Sequence, residues 1–353
     1  MPSVPDNILI VKLSAIGDVI HTLPALNAIR RHYPRARITW LVEEAAAGVV
    51  AGHPALDRIL VSRRKHWLWG LMGPARGRHV HEIMDFFKAL RDTRYDMVID
   101  FQASMKGGLL IALTRGRRKI GFGRGLEHQE HSYLFLNEKV PAVDMEIHAL
   151  TRGLILLEKA GIPVERIAYR LPVSDRDRID IRQMLAAAGI DRGARLVAIN
   201  PVAQWETKLW DNAKFAGLAD LLIERYDVTV VFSGGQADRP TVDAIVAAMR
   251  HTALNFAGRT SLMGLAALYE RAVCLVSTDT GPMHLGAAVG IPVVALFGPT
   301  APWRTGPFGK GHRVVRADCR CAPCFKRHCG TTHCMTGISV EKVAAEIEQL
   351  KLL

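Results

Sequence analysis

Four short stretches of this 353-residue chain carry residue types suited to chemistry on an anionic ligand. The first, Lys12-Leu-Ser-Ala-Ile-Gly-Asp-Val-Ile-His21, follows an apolar run that reads as a strand. Gly17 lets backbone come close to a ligand, and the amino terminus of the helix that follows attracts anions. Asp18 is then either part of that ligand site or an ordinary cap of its own helix. His21, one turn further on, reads as a packed or hydrogen-bonded histidine. The second stretch, Ser277-Thr-Asp-Thr-Gly-Pro-Met-His284, is again a strand-to-helix junction. Gly281 allows a tight turn there, and Pro282 suits the first turn of a helix. Backbone N–H groups, the Thr280 hydroxyl and His284 suit a diphosphate, and Asp279 is placed to accept bonds from sugar hydroxyls. A plain capped turn is the alternative. The third is Thr207-Lys208: opposite a phosphate site, the lysine would offset charge developing on a departing nucleotide diphosphate. Otherwise it is a solvated loop lysine. The fourth, Ser233-Gly-Gly-Gln-Ala-Asp238, pairs a Gly-Gly turn with a carboxylate of the kind that holds a ribose.

These residues need elements to position them, and the pattern supplies two series. Strands are expected at 8–13, Ile38–Val42, Arg58–Val61, Met97–Gln102 and Lys119–Phe122, with helices between them. The helix from Asp18 to Arg31 has Ile20, Leu23, Leu26 and Ile29 at helical spacing. A second series has strands at Leu196–Asn200, Val228–Ser233, Cys274–Ser277 and Val293–Phe297, and helices near 211–226, 236–250, 261–271 and 282–289. Alternation of this kind predicts an α/β protein of doubly wound parallel sheets. The expected domains are 1–174 and 175–338, followed by a helix in 339–353 that returns to one or the other. Tandem units of this type hold ligands in a cleft facing the carboxyl ends of the strands.

Composition narrows the class. Hydrophobic residues make up 49% and charged residues 23%, enough apolar mass for two cores. No apolar run approaches the roughly 20 residues that span a bilayer, and the first residues show no signal-peptide pattern. A cytoplasmic protein is expected. The net charge of +12 favours anionic partners, whether nucleic acid, an acidic membrane face or a phosphorylated substrate. The first turn lacks the Gly-x-Gly-x-x-Gly fingerprint of dehydrogenases, and no Walker-type loop is present. Gly121-Phe-Gly-Arg-Gly125 has the wrong spacing for either.

Taken together, Val11-Lys-Leu-Ser-Ala-Ile-Gly-Asp-Val-Ile-His-Thr-Leu-Pro24, Asp279-Thr-Gly-Pro-Met-His284 and Leu296-Phe-Gly-Pro-Thr300 resemble the lipopolysaccharide heptosyltransferases, glycosyltransferase family 9. The resemblance runs over nearly the whole chain. Trp40-Leu-Val-Glu-Glu44 and Arg63-Arg-Lys65 look more like heptosyltransferase I than II. The resemblance implies a GT-B fold, two Rossmann-like domains facing across a cleft, with ADP-heptose as donor and the Kdo region of lipid A as acceptor. It makes Asp18 the general base and puts Lys208 by the diphosphate. Gly17, Thr207, Asp238, Asp279, Thr280, Gly281 and His284 would serve the donor. Arg63, Arg64, Lys65 and Arg124 would serve the acceptor. Ala203-Gln-Trp-Glu-Thr207 departs from the small hydroxyl residues expected beside the phosphate; Gln204 or Thr207 would substitute. No Asp-x-Asp motif lies beside a donor residue, so transfer is expected to need no metal or other cofactor. Rival readings are heptosyltransferase II or another family 9 transferase, a nucleotide-sugar epimerase of similar architecture, and a non-catalytic binding protein.

Two stretches lie outside that chemistry. Residues 63–81 interleave cations with Trp67, Trp69, Leu71 and Met72, which suits contact with anionic lipid at the cytoplasmic face of the inner membrane. Such a stretch also suits single-stranded nucleic acid; within a glycolipid-transferase framework, no nucleic-acid partner is expected. Cys319, Cys321, Cys324, Cys329 and Cys334 crowd into sixteen residues. Cys321, Cys324, Cys329 and Cys334 offer four thiolates to a structural zinc or iron–sulfur centre. Free thiols are the alternative.

Overall fold

The computed structural model describes residues 4–73, 76–126 and 130–352. Pro74 and Ala75, in the basic aromatic stretch, and Met1–Ser3, in the segment read for a signal peptide, lie outside the described residues. The chain forms two compact units, Met1–Pro172 and Val173–Leu353.

In the first unit the strands are β1 (Asn7–Val11), β2 (Arg37–Glu43), β3 (Arg58–Ser62), β4 (Arg94–Asp100), β5 (Arg115–Phe122) and β6 (Glu138–Val140). They pair in parallel in the order β3-β2-β1-β4-β5-β6. Leu9, Ile10 and Val11 are fully buried, because a parallel sheet is covered on both faces and its central strand must be apolar throughout. The helix Ile16–His32 is buried on more than one stripe: it packs on the helix Ala149–Lys159 as well as shielding the sheet. Its Asn27 amide donates to the carbonyls of Ala168 and Tyr169 at 2.8 and 3.2 Å, tying the last extended segment of the unit to the helix.

The second unit repeats the plan with β7 (Leu196–Asn200), β8 (Thr229–Phe232), β9 (Leu254–Asn255), β10 (Ala272–Thr278), β11 (Val293–Leu296) and β12 (Arg313–Val315), all parallel in the order β12-β11-β10-β7-β8-β9. Its terminal helix, Val340–Glu348, packs on the helix Asn212–Tyr226 and buries Val343, Ala344 and Ile347. Trp210 Nε1 donates to the Ile338 carbonyl at 3.0 Å and fixes the approach to that helix.

Each sheet grows to one side of its first strand and then returns to the other side. The reversal falls between β1 and β4 in the first unit, and between β7 and β10 in the second. Loops leaving the carboxyl ends of those strands diverge there, which is where open α/β sheets hold ligands. Among the described residues no helix is long and apolar enough to cross a membrane.

Candidate active site

In the first unit the loop after β1 and the loop after β4 are stitched together at the reversal point. Gln102 Oε1 accepts from the backbone N–H groups of Leu13 and Ser14 at 2.8 and 3.2 Å. Lys12 Nζ donates to the Phe101 carbonyl at 3.1 Å. Asp100 Oδ1 accepts from the N–H groups of Gln102 and Ala103 at 2.9 and 3.1 Å. Ala103 is held at φ 49°, a left-handed conformation costly for a residue with a Cβ and of the kind found at ligand sites. Burial pushes the Asp100 carboxyl up to about 6, against those two backbone bonds and the nearby Lys12 charge.

Asp18 stands over this frame, in the first turn of the helix, one residue beyond the buried Gly17. Its Oδ2 accepts from Ala15 N–H at 3.1 Å, so the capping reading is correct for one oxygen. The carboxylate is half-buried, and it lines a cavity with Lys12, His21, Gln102, Phe122 and Arg152. His21 packs edge-on against His148, with ring centroids 5.0 Å apart. A half-exposed carboxylate facing a cation-lined cavity is equipped to take a proton from a bound hydroxyl.

The expected acceptor cations lie further along the unit. Arg63 pairs with Glu44 at 3.1 Å, and Arg64 reaches Glu43 at 3.9 Å. Glu43 also accepts from Lys106 at 3.0 Å, and Lys106 in turn donates to Ser14 Oγ at 2.9 Å. Lys65 and Arg124 are exposed. The Glu43-Glu44 pair is therefore what holds the arginines beside the loop that opens the Asp18 helix.

In the second unit Lys208 and Asp279 meet at the reversal point. Lys208 Nζ lies 2.6 Å from Asp279 Oδ2 and 3.3 Å from its carbonyl oxygen. It also sits 4.5 Å over the Trp205 ring, whose surroundings include the Arg327 guanidinium at 4.9 Å. Thr300 donates to the same Asp279 oxygen at 2.6 Å. That bond gives Leu296-Phe-Gly-Pro-Thr300 its physical meaning: the turn after β11 positions the carboxylate that positions the lysine. Asp279, expected to receive sugar hydroxyls, instead gives one oxygen to Lys208 and Thr300.

The helix Gly281–Val289 starts beside this pair. Thr280 is its N-cap, and the threonine side chain makes no capping bond. His284 is buried within the helix. Thr207 is corrected by the structure: it is 1% exposed, and its hydroxyl donates to the Lys326 carbonyl at 2.8 Å, a strut rather than a surface for a ligand. Gln204, named as its alternative, is exposed. Asp238 is half-buried, and its Oδ2 caps its own turn by accepting from Gly235 N–H at 2.8 Å.

The cysteine-rich segment packs against the Lys208 loop. Besides the Thr207 bond, His328 meets Glu206 at 2.9 Å, and the N–H groups of Cys324 and Phe325 donate to Pro299 O at 3.0 and 2.8 Å. Gly298 has no room for a side chain, since a Cβ there would lie 2.6 Å from Met335 Sδ. The Cys319 and Cys321 sulfurs are 3.4 Å apart, and all six cysteines are free. The expected four-thiolate site is not assembled: among the described residues, the ligand atoms grouped closely enough to hold a metal ion do not include those of Cys321, Cys324, Cys329 or Cys334.

Asp100, Gln102 and Arg152 are not singled out by the sequence, and Thr300 enters only as the end of the Leu296-Phe-Gly-Pro-Thr300 motif. The available signal was a polar pair, Asp100 and Gln102, closing an apolar strand.

Comparison with known proteins identifies the family and the fold. The glycosyltransferase family 9 (heptosyltransferase) pattern matches residues 83–335. Lipopolysaccharide heptosyltransferase 1 of Pseudomonas aeruginosa is 31% identical, over 98% of this chain and 98% of its own. The E. coli heptosyltransferase WaaC with ADP superposes with a TM-score of 0.78 at 25% identity, covering 98% of this chain and 99% of its own. A family 9 glycosyl transferase from Veillonella parvula shares the fold, with a TM-score of 0.82 at 24% identity, over 98% of this chain and 97% of its own.

Proposed function

The chain belongs to glycosyltransferase family 9, and from that premise we propose that it transfers heptose from ADP-heptose, with inversion, to the Kdo region of lipid A in inner-core lipopolysaccharide synthesis. It is a glycosyltransferase of the GT-B fold. The observation that carries the reading is the Lys208–Asp279 pair at the start of the Gly281–Val289 helix. An ammonium has three N–H donors. Two are directed at Asp279 Oδ2 and its carbonyl, and the third serves a diphosphate oxygen. The helix amino terminus adds its partial positive charge and its unpaired N–H groups.

In the reaction Asp18 accepts the proton of the acceptor hydroxyl as that oxygen attacks the anomeric carbon in line. The bond from that carbon to the diphosphate oxygen breaks, and its electron pair leaves with ADP. A carboxylate is a weak base for an alcohol, so proton transfer accompanies bond formation rather than preceding it. Lys208 and the helix terminus stabilise the charge growing on ADP, the role a divalent metal has in other glycosyltransferases. Arg63, Arg64, Lys65 and Arg124 meet the carboxylates and phosphates of the acceptor. Asp238 keeps one oxygen for the ribose. Leu68, Trp69 and Met72, which are exposed beside those arginines, rest on an anionic membrane surface.

The test is incubation with ADP-heptose and Kdo-lipid A, following ADP release and acceptor mass, with and without added magnesium. The reading requires one added heptose per acceptor and no stimulation by magnesium. Conversion of the donor without acceptor would make the protein an epimerase. Transfer only to an already heptosylated acceptor would move it to the heptosyltransferase II reaction.

A further inference from the structure

The helices Arg64–Leu71 and Arg76–Arg91 carry a group that the transfer reaction does not use. His66, His79 and Glu82 each offer a ligand atom, all within 4.8 Å of one another. Glu82 Oε2 lies 3.7 Å from His66 Nε2 and 3.6 Å from His79 Nδ1. Those separations exceed hydrogen-bonding range. They are close to the roughly 3.3 Å between ligand atoms that a tetrahedral zinc ion sets with bonds of about 2.0–2.1 Å.

His79 supplies an independent pointer. It is 9% exposed, and its Nδ1 makes no hydrogen bond among the described residues. A buried ring nitrogen left so is costly. The opposite edge of the ring lies on Gly70, where a Cβ would sit 2.2 Å from Nε2 and Cδ2. Gly70 therefore admits the ring and turns Nδ1 toward Glu82. The carboxylate is steadied in turn: Trp67 Nε1 donates to its Oε2 at 3.2 Å, and Arg78 Nε donates to its Oε1 at 3.2 Å. Partners of this outer kind hold metal ligands in position. His79 and Glu82 are one turn apart on one helix face, and His66 closes the group from the neighbouring helix. Two imidazole nitrogens and one carboxylate oxygen suit zinc, with a fourth position open to water at the exposed His66 end.

We propose that His66, His79 and Glu82 bind a divalent transition-metal ion, zinc by ligand type, which clamps the Arg64–Leu71 helix to the Arg76–Arg91 helix. The proposal uses neither Asp18 nor Lys208, and it holds whether or not the transferase reading does.

The test uses the full chain freed of metal with a chelator and titrated with zinc and with cobalt. His66→Ala is the main variant because His66 is exposed and its loss spares the core; Glu82→Gln is the second. The proposal expects zinc to raise the melting temperature of the wild type but not of His66→Ala. It also expects zinc affinity at this site to fall by at least about 100-fold in both variants. The cobalt difference spectrum, wild type minus His66→Ala, should show ligand-field bands without thiolate charge transfer, which separates this site from the cysteine segment. Equal zinc stoichiometry and affinity in the wild type and His66→Ala would overturn the proposal. So would bound cobalt that is wholly thiolate-ligated, or a wild type that binds neither ion.

Discussion

The two units place a lysine and an aspartate at matching points of the same topology and use them oppositely. Asp100 closes β4 and Asp279 follows β10, the fourth strands of their respective sheets; Lys12 follows β1, and Lys208 lies in the loop after β7. In the first unit the aspartate is fully interior and bonded to backbone N–H groups, and the lysine is turned to a carbonyl. Both brace the loops that carry Asp18, the proposed base, and Lys12 also lines the Asp18 cavity. In the second unit the aspartate grips the lysine directly and presents it. On the proposed reading, one scaffold offers a proton acceptor and the other, of the same plan, offers a cation. The strand order sets where a ligand binds, and a few side-chain pairings decide which charge it meets.

That contrast breaks most readily at Lys208. Lys208→Met leaves the Asp279 carboxylate buried without its cation, and should cost about 3–5 kcal/mol in urea unfolding and about 10²–10³ in kcat. Adding Asp279→Asn should restore much of the stability and none of the activity. If both recovered together, the pair would be structural only.

Asp100 is the sharper electrostatic test. Its folded pKa, about 6, lies above the ordinary value of 3.8. Its favourable contribution is therefore full below about pH 4 and is lost as pH rises through about 6, by about 3 kcal/mol. Asp100→Asn should remove that slope. Unfolding measured from pH 4 to 7 should show the variant gaining on the wild type across that window, and parallel curves would contradict the assignment.

Smaller effects should follow at the supports. Thr300→Val removes one hydrogen bond to Asp279 and should cost about 1 kcal/mol, with a modest fall in kcat. Trp69→Ser with Met72→Ser should weaken sedimentation with anionic vesicles and leave turnover of a detergent-dispersed acceptor unchanged. Both residues are largely exposed, at 77% and 78%.

Much of this frame was legible in the sequence because buried parallel strands are unbroken apolar runs. Leu196–Asn200 coincides with β7, while the first strand, expected at 8–13, runs from Asn7 and stops two residues earlier, at Val11, because Lys12 and Leu13 continue the pattern after the ladder ends. The edge strands β6, β9 and β12 went unseen: at two or three residues each they are too short to show a period, and only backbone pairing defines them. Among the candidate site residues, Asp18 and Asp279 stand out through their strand-to-helix junctions, and Lys208 through the family resemblance. Thr207 was misread because a threonine beside a lysine carries no mark of burial, and the carbonyl that binds it is 119 residues away. The His66, His79 and Glu82 group was invisible for a similar reason, since its geometry depends on how two helices pack.

The most direct measurement of the central claim is acceptor-dependent ADP release by Asp18→Asn. Asparagine keeps the cap to Ala15 N–H and removes only the base. The account predicts turnover reduced by about 10²–10⁴, with ADP-heptose affinity and melting temperature close to wild type. Turnover near the wild-type rate in that variant would contradict it.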